Sequence, residues 1–266
     1  MNYFGLYWDF VRIRLRTMVE YRAETLWTGF AQAAGYLAEF AVVWVMIDRF
    51  GTIGNWNPYE IMLLYALNLF SYALAGSFFY RTSNRLPDYI RTGSLDEVLT
   101  KPTNPLLYLT CSGFLYGYFS HMLVSILVLV ICFSGIGIVL TAAKIGFLIL
   151  TLISGALIYS AVFLLIAVPS FWLVKNDAIA ALLWSGRNFV KYPVSIYSKA
   201  IQIVLTLVLP YAFINFYPAQ YLLAKNDFMM FHPVFQFLSP FVGLLLFFLA
   251  YRFWLTGIKH YNGSGS

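Results

Sequence analysis

The chain has 266 residues, of which 61% are hydrophobic, 20% are aromatic and only 11% are charged. Soluble domains usually carry about 25% charged residues, and a globule of this size cannot enclose so much apolar surface. The composition therefore argues against a soluble enzyme, a disordered protein and a disulfide-rich secreted domain. The net charge of +6 is distributed between apolar runs, which favours a role in membrane orientation over nucleic-acid binding.

Six apolar segments are each long enough to cross a hydrocarbon core of about 30 Å as a helix. They cover residues 25–47, 58–79, 114–140, 145–174, 201–224 and 234–255. The third and fourth segments are longer than a perpendicular crossing needs, so we expect them to tilt or to extend beyond the lipid. Runs of this length favour helices over barrel strands. The sequence therefore predicts an all-α integral membrane protein with six transmembrane helices in a single domain, 1–266.

Lysine and arginine residues indicate the orientation of these helices. Six crossings place both termini on one side, and 14 basic residues fall on that side: Arg12, Arg14, Arg16, Arg22, Arg81, Arg85, Arg91, Lys101, Lys175, Arg187, Lys191, Lys199, Arg252 and Lys259. The other three, Arg49, Lys144 and Lys225, fall on the opposite side. The positive-inside rule assigns the richer side to the cytoplasm, so we expect a multi-pass membrane protein with cytoplasmic termini.

Residues 1–22 predict an amphipathic helix that lies in the cytoplasmic interface of the membrane. Its apolar face carries Phe4, Trp8, Val11, Leu15 and Met18, and its polar face carries Asp9, Arg12, Arg16 and Glu20. Two roles are open for this helix. It is either a membrane anchor alone or a lever joined to the first span.

The cytoplasmic loop 80–105 contains dense signals for two short, abutting helices. Pro87 is suited to the first turn of one helix and Gly93 to its end. Ser94 and Glu97 have the spacing of a capping box that begins a second helix, and Pro102 ends it. The loop mixes apolar and charged residues, which suits docking to a soluble partner. The alternative is a helical linker on the membrane surface.

Within this loop, residues 86–102 read LPDYIRTGSLDEVLTKP. This run resembles the signature of the permease subunits of bacterial type-2 ATP-binding-cassette (ABC) exporters. Two further pieces are similar to the same family. One is Lys191 with Tyr192 and Pro193, and the other is Pro210 followed by residues 217–219 (YPA).

The resemblance implies a six-helix permease in the bacterial cytoplasmic (inner) membrane that forms half of a translocation pathway. It implies two partners, a nucleotide-binding ATPase subunit and a second permease subunit, usually a different chain and alternatively an identical one. It also implies that loop 80–105 couples to the ATPase. The family motif assigns this coupling to Tyr89, Arg91, Gly93, Asp96, Lys101 and Pro102.

The chain has no G-x-x-x-x-G-K-[S/T] phosphate loop and no cluster of His, Asp and Glu at a catalytic spacing. We therefore expect a non-catalytic subunit without a cofactor of its own, with ATP and Mg²⁺ bound by the partner ATPase. Two alternatives remain open on residues alone. They are an ion-coupled secondary transporter and, with less support, a membrane-embedded lipid-modifying enzyme.

The fifth segment is interrupted by Pro210 and Pro218, with Asn215 between them. Proline removes a backbone hydrogen bond, and the freed carbonyls need partners inside a membrane. We therefore expect a broken or re-entrant fifth span near the outer face. Its aromatic residues, Tyr217 among them, suit either an exit gate or an interfacial aromatic belt.

Polar residues inside the spans are candidates for the translocation pathway. Glu39 lies within the first span, and Gln32 lies seven residues earlier on the same helical face. A carboxylate there costs about 2.5–3.5 kcal/mol, so Glu39 should face a cavity, a partner subunit or a cation. Asn68 in the second span is a further candidate for this network. His121 is expected to be a packed or hydrogen-bonded core residue, and the two cysteines, Cys111 and Cys132, are expected to be lipid-facing or packed side chains.

Overall fold

The computed structural model describes residues 22–173 and 176–261, together with Gly5, Arg12, Ile13 and Arg16. These residues are predominantly helical, and no strand is found among them, which confirms the all-α membrane-type fold. The predicted interfacial helix at 1–22 falls almost wholly outside the described residues. The same holds for Val174, the predicted end of the fourth span.

The helices are numbered here in chain order over the described residues. They are α1 (Arg22–Phe50), α2 (Pro58–Arg91), α3 (Ser94–Leu99), α4 (Pro105–Ser112), α5 (Tyr118–Ile136), α6 (Ala142–Ala167), α7 (Asp177–Phe189), α8 (Lys199–Ile203), α9 (Phe216–Leu223) and α10 (Ser239–His260). Helix α6 continues into a 3₁₀ turn, Val168–Phe171. Helix α8 continues into a π-helical turn, Val204–Val208.

Helix α2 lies at the centre and packs against α1, α5 and α6. It begins at Pro58 as predicted, where the Asn57 side chain and Glu60 form a reciprocal capping box. It runs for 34 residues through Pro87 to Arg91, so the separate helix predicted to start at Pro87 is wrong. The adjacent Leu86 is fully buried, and this packing holds the helix through the proline.

Four helical segments of the described chain are long and apolar enough to cross a membrane: Pro58–Arg91, Tyr118–Ile136, Ala142–Phe171 and Ser239–His260. Exposed leucine and phenylalanine side chains on α5 and α10, such as Leu123 and Phe241, give them lipid-facing surfaces. The 29-residue α1 has the length of a span but carries charged residues along it. The six-span count therefore stays a prediction.

The third span is shorter than predicted. Helix α5 has 19 residues and ends where Gly137 adopts a φ of 73°, a left-handed conformation that favours glycine. The residues before α5 form α4 and a turn. Helix α5 is therefore only about 28 Å long at 1.5 Å per residue, and the expected excess length is not found.

The bundle has two distinct ends. The loop end contains α3, α4 and the adjoining ends of α2, α6 and α10, which share one buried apolar cluster. The far end contains the α1–α2 connection and the residues after α9. There Lys225 pairs with Glu60 at 2.8 Å, and Lys144 donates a hydrogen bond to the Leu222 carbonyl at 3.2 Å.

The segment predicted as the fifth span, 201–224, is a bent pair of helices with an angle of 75° between Lys199–Val208 and Tyr211–Leu223. Both of its outer ends lie at the far end. Ser195, just before the first arm, donates a hydrogen bond at 2.5 Å to Asp227, just after the second arm. The tip reaches inward, where Ile214 lies beside Gly155 of α6. Of the two predicted alternatives, this geometry favours the re-entrant hairpin.

The hairpin turns back and does not connect the two ends of the bundle. The stretch 177–196 connects them instead. At the loop end, Asn176 donates a hydrogen bond to the Ile166 carbonyl at 2.6 Å. At the far end, Ser195 reaches Asp227. The prediction that Arg187, Lys191 and Lys199 share one connection at the loop end is wrong. Arg187 contacts Tyr72 inside the bundle, Lys191 pairs with Glu39 on an open side of it, and Lys199 follows the far-end contact.

Candidate functional site

The predicted coupling loop is a tight turn that joins α2 to α3. Gly93 adopts a φ of 72°, which redirects the chain after Arg91, so the predicted helix end at this glycine is confirmed. The predicted capping box of Ser94 and Glu97 is wrong. Gly93 is the N-cap residue of α3, and the Ser94 hydroxyl pairs instead with the Thr92 hydroxyl at 2.7 Å.

Charged side chains cover the outer surface of this loop. Arg91 pairs with Asp88 at 3.2 Å, and both side chains are about two-thirds exposed or more, at 76% and 67%. Lys101 pairs with Glu97 at 3.0 Å, and Asp96 is exposed. Exposed ion pairs contribute only about 0–1 kcal/mol to stability. These groups therefore present charge to the surroundings and do little to hold the loop together.

A small groove of about 170 Å³ on the loop brings Tyr89 and Lys101 together. Lys101 donates a hydrogen bond to the Tyr108 hydroxyl at 2.7 Å. This bond and the Glu97 carboxylate raise the pKa of Lys101 above its usual value. Pro102 is exposed beside the groove. Of the six predicted coupling residues, Tyr89 and Lys101 share this groove, and the other four lie at the end of α2, on α3 or in the adjoining turns. The coupling role of all six stays a prediction.

The inner face of the loop is anchored in the apolar cluster of the loop end. Leu95 and Val98 of α3 are buried in the cluster that also contains Leu164 of α6 and Trp254 of α10. Burial of a leucine or valine side chain stabilises a fold by about 1.5–3 kcal/mol, more than the exposed ion pairs contribute. Helix α3 is therefore anchored in the same cluster as the ends of α6 and α10.

The chain's C-terminal helix is tied to the same loop by polar contacts. The Asn104 side chain caps α4 and also donates a hydrogen bond to the Tyr251 hydroxyl of α10 at 2.9 Å. Burial, together with the neighbouring Asp96 carboxylate, raises the pKa of Tyr261. These contacts reinforce the connection between the coupling surface and α10.

A second polar site lies inside the bundle around Arg187 of α7. Its guanidinium carbon lies 3.7 Å from the centre of the Tyr72 ring, and Tyr36 and Tyr159 also interact with the guanidinium. We call Arg187 and these three tyrosines the tyrosine cage. An arginine at mid-span costs about 2.5–3.5 kcal/mol, and a desolvated cation–π contact returns about 2 kcal/mol. The cage therefore offsets much of the cost of this charge.

Glu39 lies beside the tyrosine cage and has a cation as its partner, as predicted for a carboxylate at this depth. It pairs with Lys191 at 3.0 Å, with the side chains 49% and 26% exposed, and accepts a hydrogen bond from the Tyr65 hydroxyl. The pair therefore lies on an open side of the bundle.

Asn68 and Gln32 lie on either side of the cage and do not bond to Glu39 directly. Asn68 accepts a hydrogen bond from the hydroxyl of Tyr159, which is itself a cage residue. Gln32 accepts a hydrogen bond from Ser120 of α5 at 3.3 Å. The structure therefore connects Asn68 to the cage through one tyrosine and places Gln32 at the α1–α5 contact.

The hairpin residues singled out in the sequence lie inside the protein. Asn215 is fully buried and donates hydrogen bonds to the Leu64 carbonyl at 2.9 Å and the Val190 carbonyl at 2.6 Å. Tyr217 is fully buried, and its hydroxyl pairs with Thr206 of the first arm at 3.0 Å. Pro210 lies at the tip and Pro218 is buried in α9. These contacts fix the hairpin against α2 and the 177–196 segment, and a gating role stays a prediction.

The family model described as ABC-2 family transporter protein matches residues 34–265. The chain belongs to the ABC-2 transporter family. The family resemblance drawn from the loop motif is confirmed. No curated protein matches the chain.

Membership of the ABC-2 family makes this chain a membrane component of a transporter. Membrane components of the ABC-2 family generally work with an ATPase partner. The matched region includes the coupling loop, the tyrosine cage and the hairpin.

The sequence analysis did not single out Arg187 and Lys191 as site residues of this ABC-2 family protein. In the sequence, their four-residue spacing is that of one helical face, with apolar residues such as Leu183 nearby, although α7 ends at Phe189 and Lys191 lies in the turn that follows. That pattern was a usable signal for a charged stripe inside the membrane. The tyrosines that surround them come from three other helices, α1, α2 and α6, so the sequence alone gave no reason to group them.

Proposed function

We propose that this chain is the transmembrane subunit of an ATP-driven ABC exporter. It forms half of the translocation pathway and pairs with a second permease subunit, which we expect to be a different chain. A separate ATPase subunit docks on the coupling loop and binds ATP and Mg²⁺. The observation that carries the proposal is a charged outer surface joined to a buried apolar anchor in α3, within a chain of the ABC-2 family.

The anchor supplies the mechanical step of this proposal. A nucleotide-driven movement of the ATPase subunit shifts α3, and the buried contacts of Leu95 with the cluster shared by α6 and α10 pass the shift to these helices. Binding energy at the ATPase thereby changes the populations of two arrangements of the bundle. In this step the chain positions the moving helices and transmits the shift through its rigid packing. We assign no catalytic group to it.

The proposed orientation places the loop end in the cytoplasm of a bacterial cell and both termini on the same side. Arg187, Lys191 and Lys199 no longer count among the basic residues of the loop end. The remaining basic residues of the loop end still outnumber those of the far end. The proposed crossings are α1, α2, α5, α6, the 177–196 segment and α10, with the hairpin re-entering from outside. This arrangement keeps six spans but changes the residues of the fifth.

Family membership favours this proposal over the two alternatives. An ion-coupled transporter draws support from the Glu39–Lys191 pair, yet the ABC-2 family match covers both this pair and the coupling loop. A lipid-modifying enzyme has no comparable support from any site described above.

The test is reversal of charge on the coupling surface. The variants Arg91→Glu and Asp96→Lys are expressed with the neighbouring genes, and the ATP hydrolysis that co-purifies with the chain is measured in gentle detergent. We expect each variant to insert normally and to retain about tenfold less ATPase, because charges across an interface set its recognition. Arg49→Glu at the far end is the matched control and retains full ATPase. Unchanged ATPase in both loop variants would overturn the coupling assignment.

A further inference from the structure

The charges around the tyrosine cage do not balance. Arg187 and Lys191 contribute two positive charges, and Glu39 contributes one negative charge, which is held by Lys191 at 3.0 Å. Among the ion pairs formed by the described residues, none includes Arg187. A site with one excess cation is electrostatically complementary to an anion.

The guanidinium also has unused hydrogen-bonding capacity. The Nε of Arg187 is buried and has no hydrogen-bond partner among the described residues. The stacked Tyr72 ring compensates charge but accepts no conventional hydrogen bond from Nε. Arginine binds phosphate and carboxylate groups through its planar array of N–H donors, so a ligand with either group would satisfy this donor.

A cavity lies beside the cage, separated from it by one layer of side chains, and none of the four cage residues lines it. It has a volume of about 470 Å³ and is lined by Arg81, Tyr118 and His121, among others. The Tyr118 hydroxyl lies 3.4 Å from the hydroxyl of Tyr72, and the His121 ring packs against Tyr36 at 4.5 Å between centroids. Two walls of the cage are therefore in direct contact with the inner wall of this cavity.

A second cavity, of about 370 Å³, adjoins the first one on the outer side of α1 and α5. The two cavities share Tyr116 and Gly117. The second one is lined largely by apolar residues, including Phe30 and Leu123, which are 67% and 68% exposed at the lipid-facing surface. A cavity of mixed lining that includes Arg81 and His121, beside an apolar one, matches a molecule with a charged head and an alkyl chain.

We propose that Arg187, supported by Lys191, is an anion-binding subsite for the head group of an amphiphilic cargo that carries a phosphate or carboxylate. The alkyl chain occupies the apolar cavity between α1 and α5 as the molecule leaves the bilayer. The head group enters the cavity lined by Arg81 and His121 and reaches the tyrosine cage when Tyr118 and His121 move aside, and Glu39 limits its affinity by like-charge repulsion. This inference rests on the proposed transport function for its physiological meaning.

The test measures binding of dodecyl phosphate to the purified complex in phosphatidylcholine nanodiscs without nucleotide, by calorimetric titration. Inorganic phosphate and dodecyltrimethylammonium are titrated in parallel, to separate a free anion and a cationic amphiphile from the proposed ligand. The variants are Arg187→Gln and Glu39→Gln, with Arg49→Gln at the far end as the matched control.

We expect dodecyl phosphate to bind about tenfold more weakly to Arg187→Gln and severalfold more tightly to Glu39→Gln. Opposite signs distinguish an anion site from a structural role, since loss of structure would weaken binding in both variants. Equal binding to Arg187→Gln and the parent, weaker binding to Glu39→Gln, or preference for the cationic amphiphile would overturn the proposal. Tighter binding of inorganic phosphate than dodecyl phosphate would overturn the amphiphile assignment.

This outcome is separable from that of the proposed function. The binding measurement uses no ATP, and it is carried out on whatever assembly co-purifies with the full chain. If no ATPase co-purifies, the proposed function fails while the titration still reports on the anion site. If the ATPase is present and the titration shows no dependence on Arg187, only the anion site fails.

Discussion

Replacement of Asn215 by leucine tests how the re-entrant hairpin is held. The Asn215 amide donates hydrogen bonds to the Leu64 carbonyl of α2 and the Val190 carbonyl after α7, and all three residues are buried. Leucine has a similar volume but no donor. The variant therefore removes two buried contacts with little change in packing and leaves two carbonyls without this partner.

The magnitude follows from those two bonds. A typical buried hydrogen bond contributes about 0.5–1.5 kcal/mol net, and an unsatisfied buried group costs about 1–3 kcal/mol. The side-chain oxygen of Asn215 is itself buried without a hydrogen-bond partner among the described residues, and leucine removes that cost. We therefore expect Asn215→Leu to lower the free energy of unfolding by about 1 kcal/mol net. For a chain of this size, that corresponds to a decrease in Tm of about 2–4 °C.

The assay is thermal unfolding of the purified protein in detergent, followed by intrinsic tryptophan fluorescence. The exposed Asn226 provides the matched control, because Asn226→Leu makes the same chemical change without removing a buried contact. Hydrogen exchange in the tip, residues 209–214, should accelerate in Asn215→Leu alone. Equal Tm values for the two variants would refute the argument that Asn215 fixes the hairpin.

Three further predictions follow from the packing and the polar contacts. A Cβ at Gly155 would overlap the Ser71 hydroxyl, so Gly155→Leu should lower the Tm. Gly146 faces open space, so Gly146→Leu should not, and equal Tm values for the two variants would contradict this. Asp227→Leu removes the acceptor of the Trp56 indole hydrogen bond at 2.8 Å, so hydrogen exchange at residues 222–228 should accelerate, and unchanged exchange would contradict a far-end lock. The interactions that raise the pKa of Lys101 stabilise the loop at every pH below the ordinary lysine pKa of about 10.4, and this stabilisation is lost only above that pH. Hydrogen exchange of α3, corrected for its intrinsic pH dependence, should therefore be unchanged between pH 7 and 9. A loss of protection across that range would contradict the assignment.

Much of the fold is encoded locally and was predictable. The start of α2 at Pro58 follows from the Asn57 cap and the apolar run behind it. The turn at Gly93 follows from the ease with which glycine adopts positive φ. Both features depend on a few neighbouring residues, so the sequence contains enough information to place them.

The path of residues 177–196 was not predictable in the same way. Arg187 and Lys191 gave this segment the charge of a connecting loop. Their partners are Tyr72 and Glu39, which are more than a hundred residues away in the chain. Since hydropathy treats each segment alone, it cannot include stabilisation that distant side chains supply.

The path of the hairpin also depends on distant contacts that hydropathy does not include. Residues 201–224 have the length and apolar character of a span, and Pro210 indicated an interruption. Whether the chain then crosses or turns back depends on contacts such as that between Ser195 and Asp227. Those contacts join the two outer ends and cannot be read from the composition of the segment.

The central claim is that this ABC-2 family chain works as the membrane half of a complex with a separate ATPase that docks at the coupling loop. The most direct test is native mass spectrometry of the complex, expressed with its neighbouring genes and purified in gentle detergent through this chain. The account predicts an assembly of two six-span permease subunits, one of them this chain, with two nucleotide-binding subunits. It also predicts that Arg91→Glu depletes the nucleotide-binding subunits while the permease pair remains. A chain that elutes alone or only with copies of itself, without ATPase activity, would contradict the account.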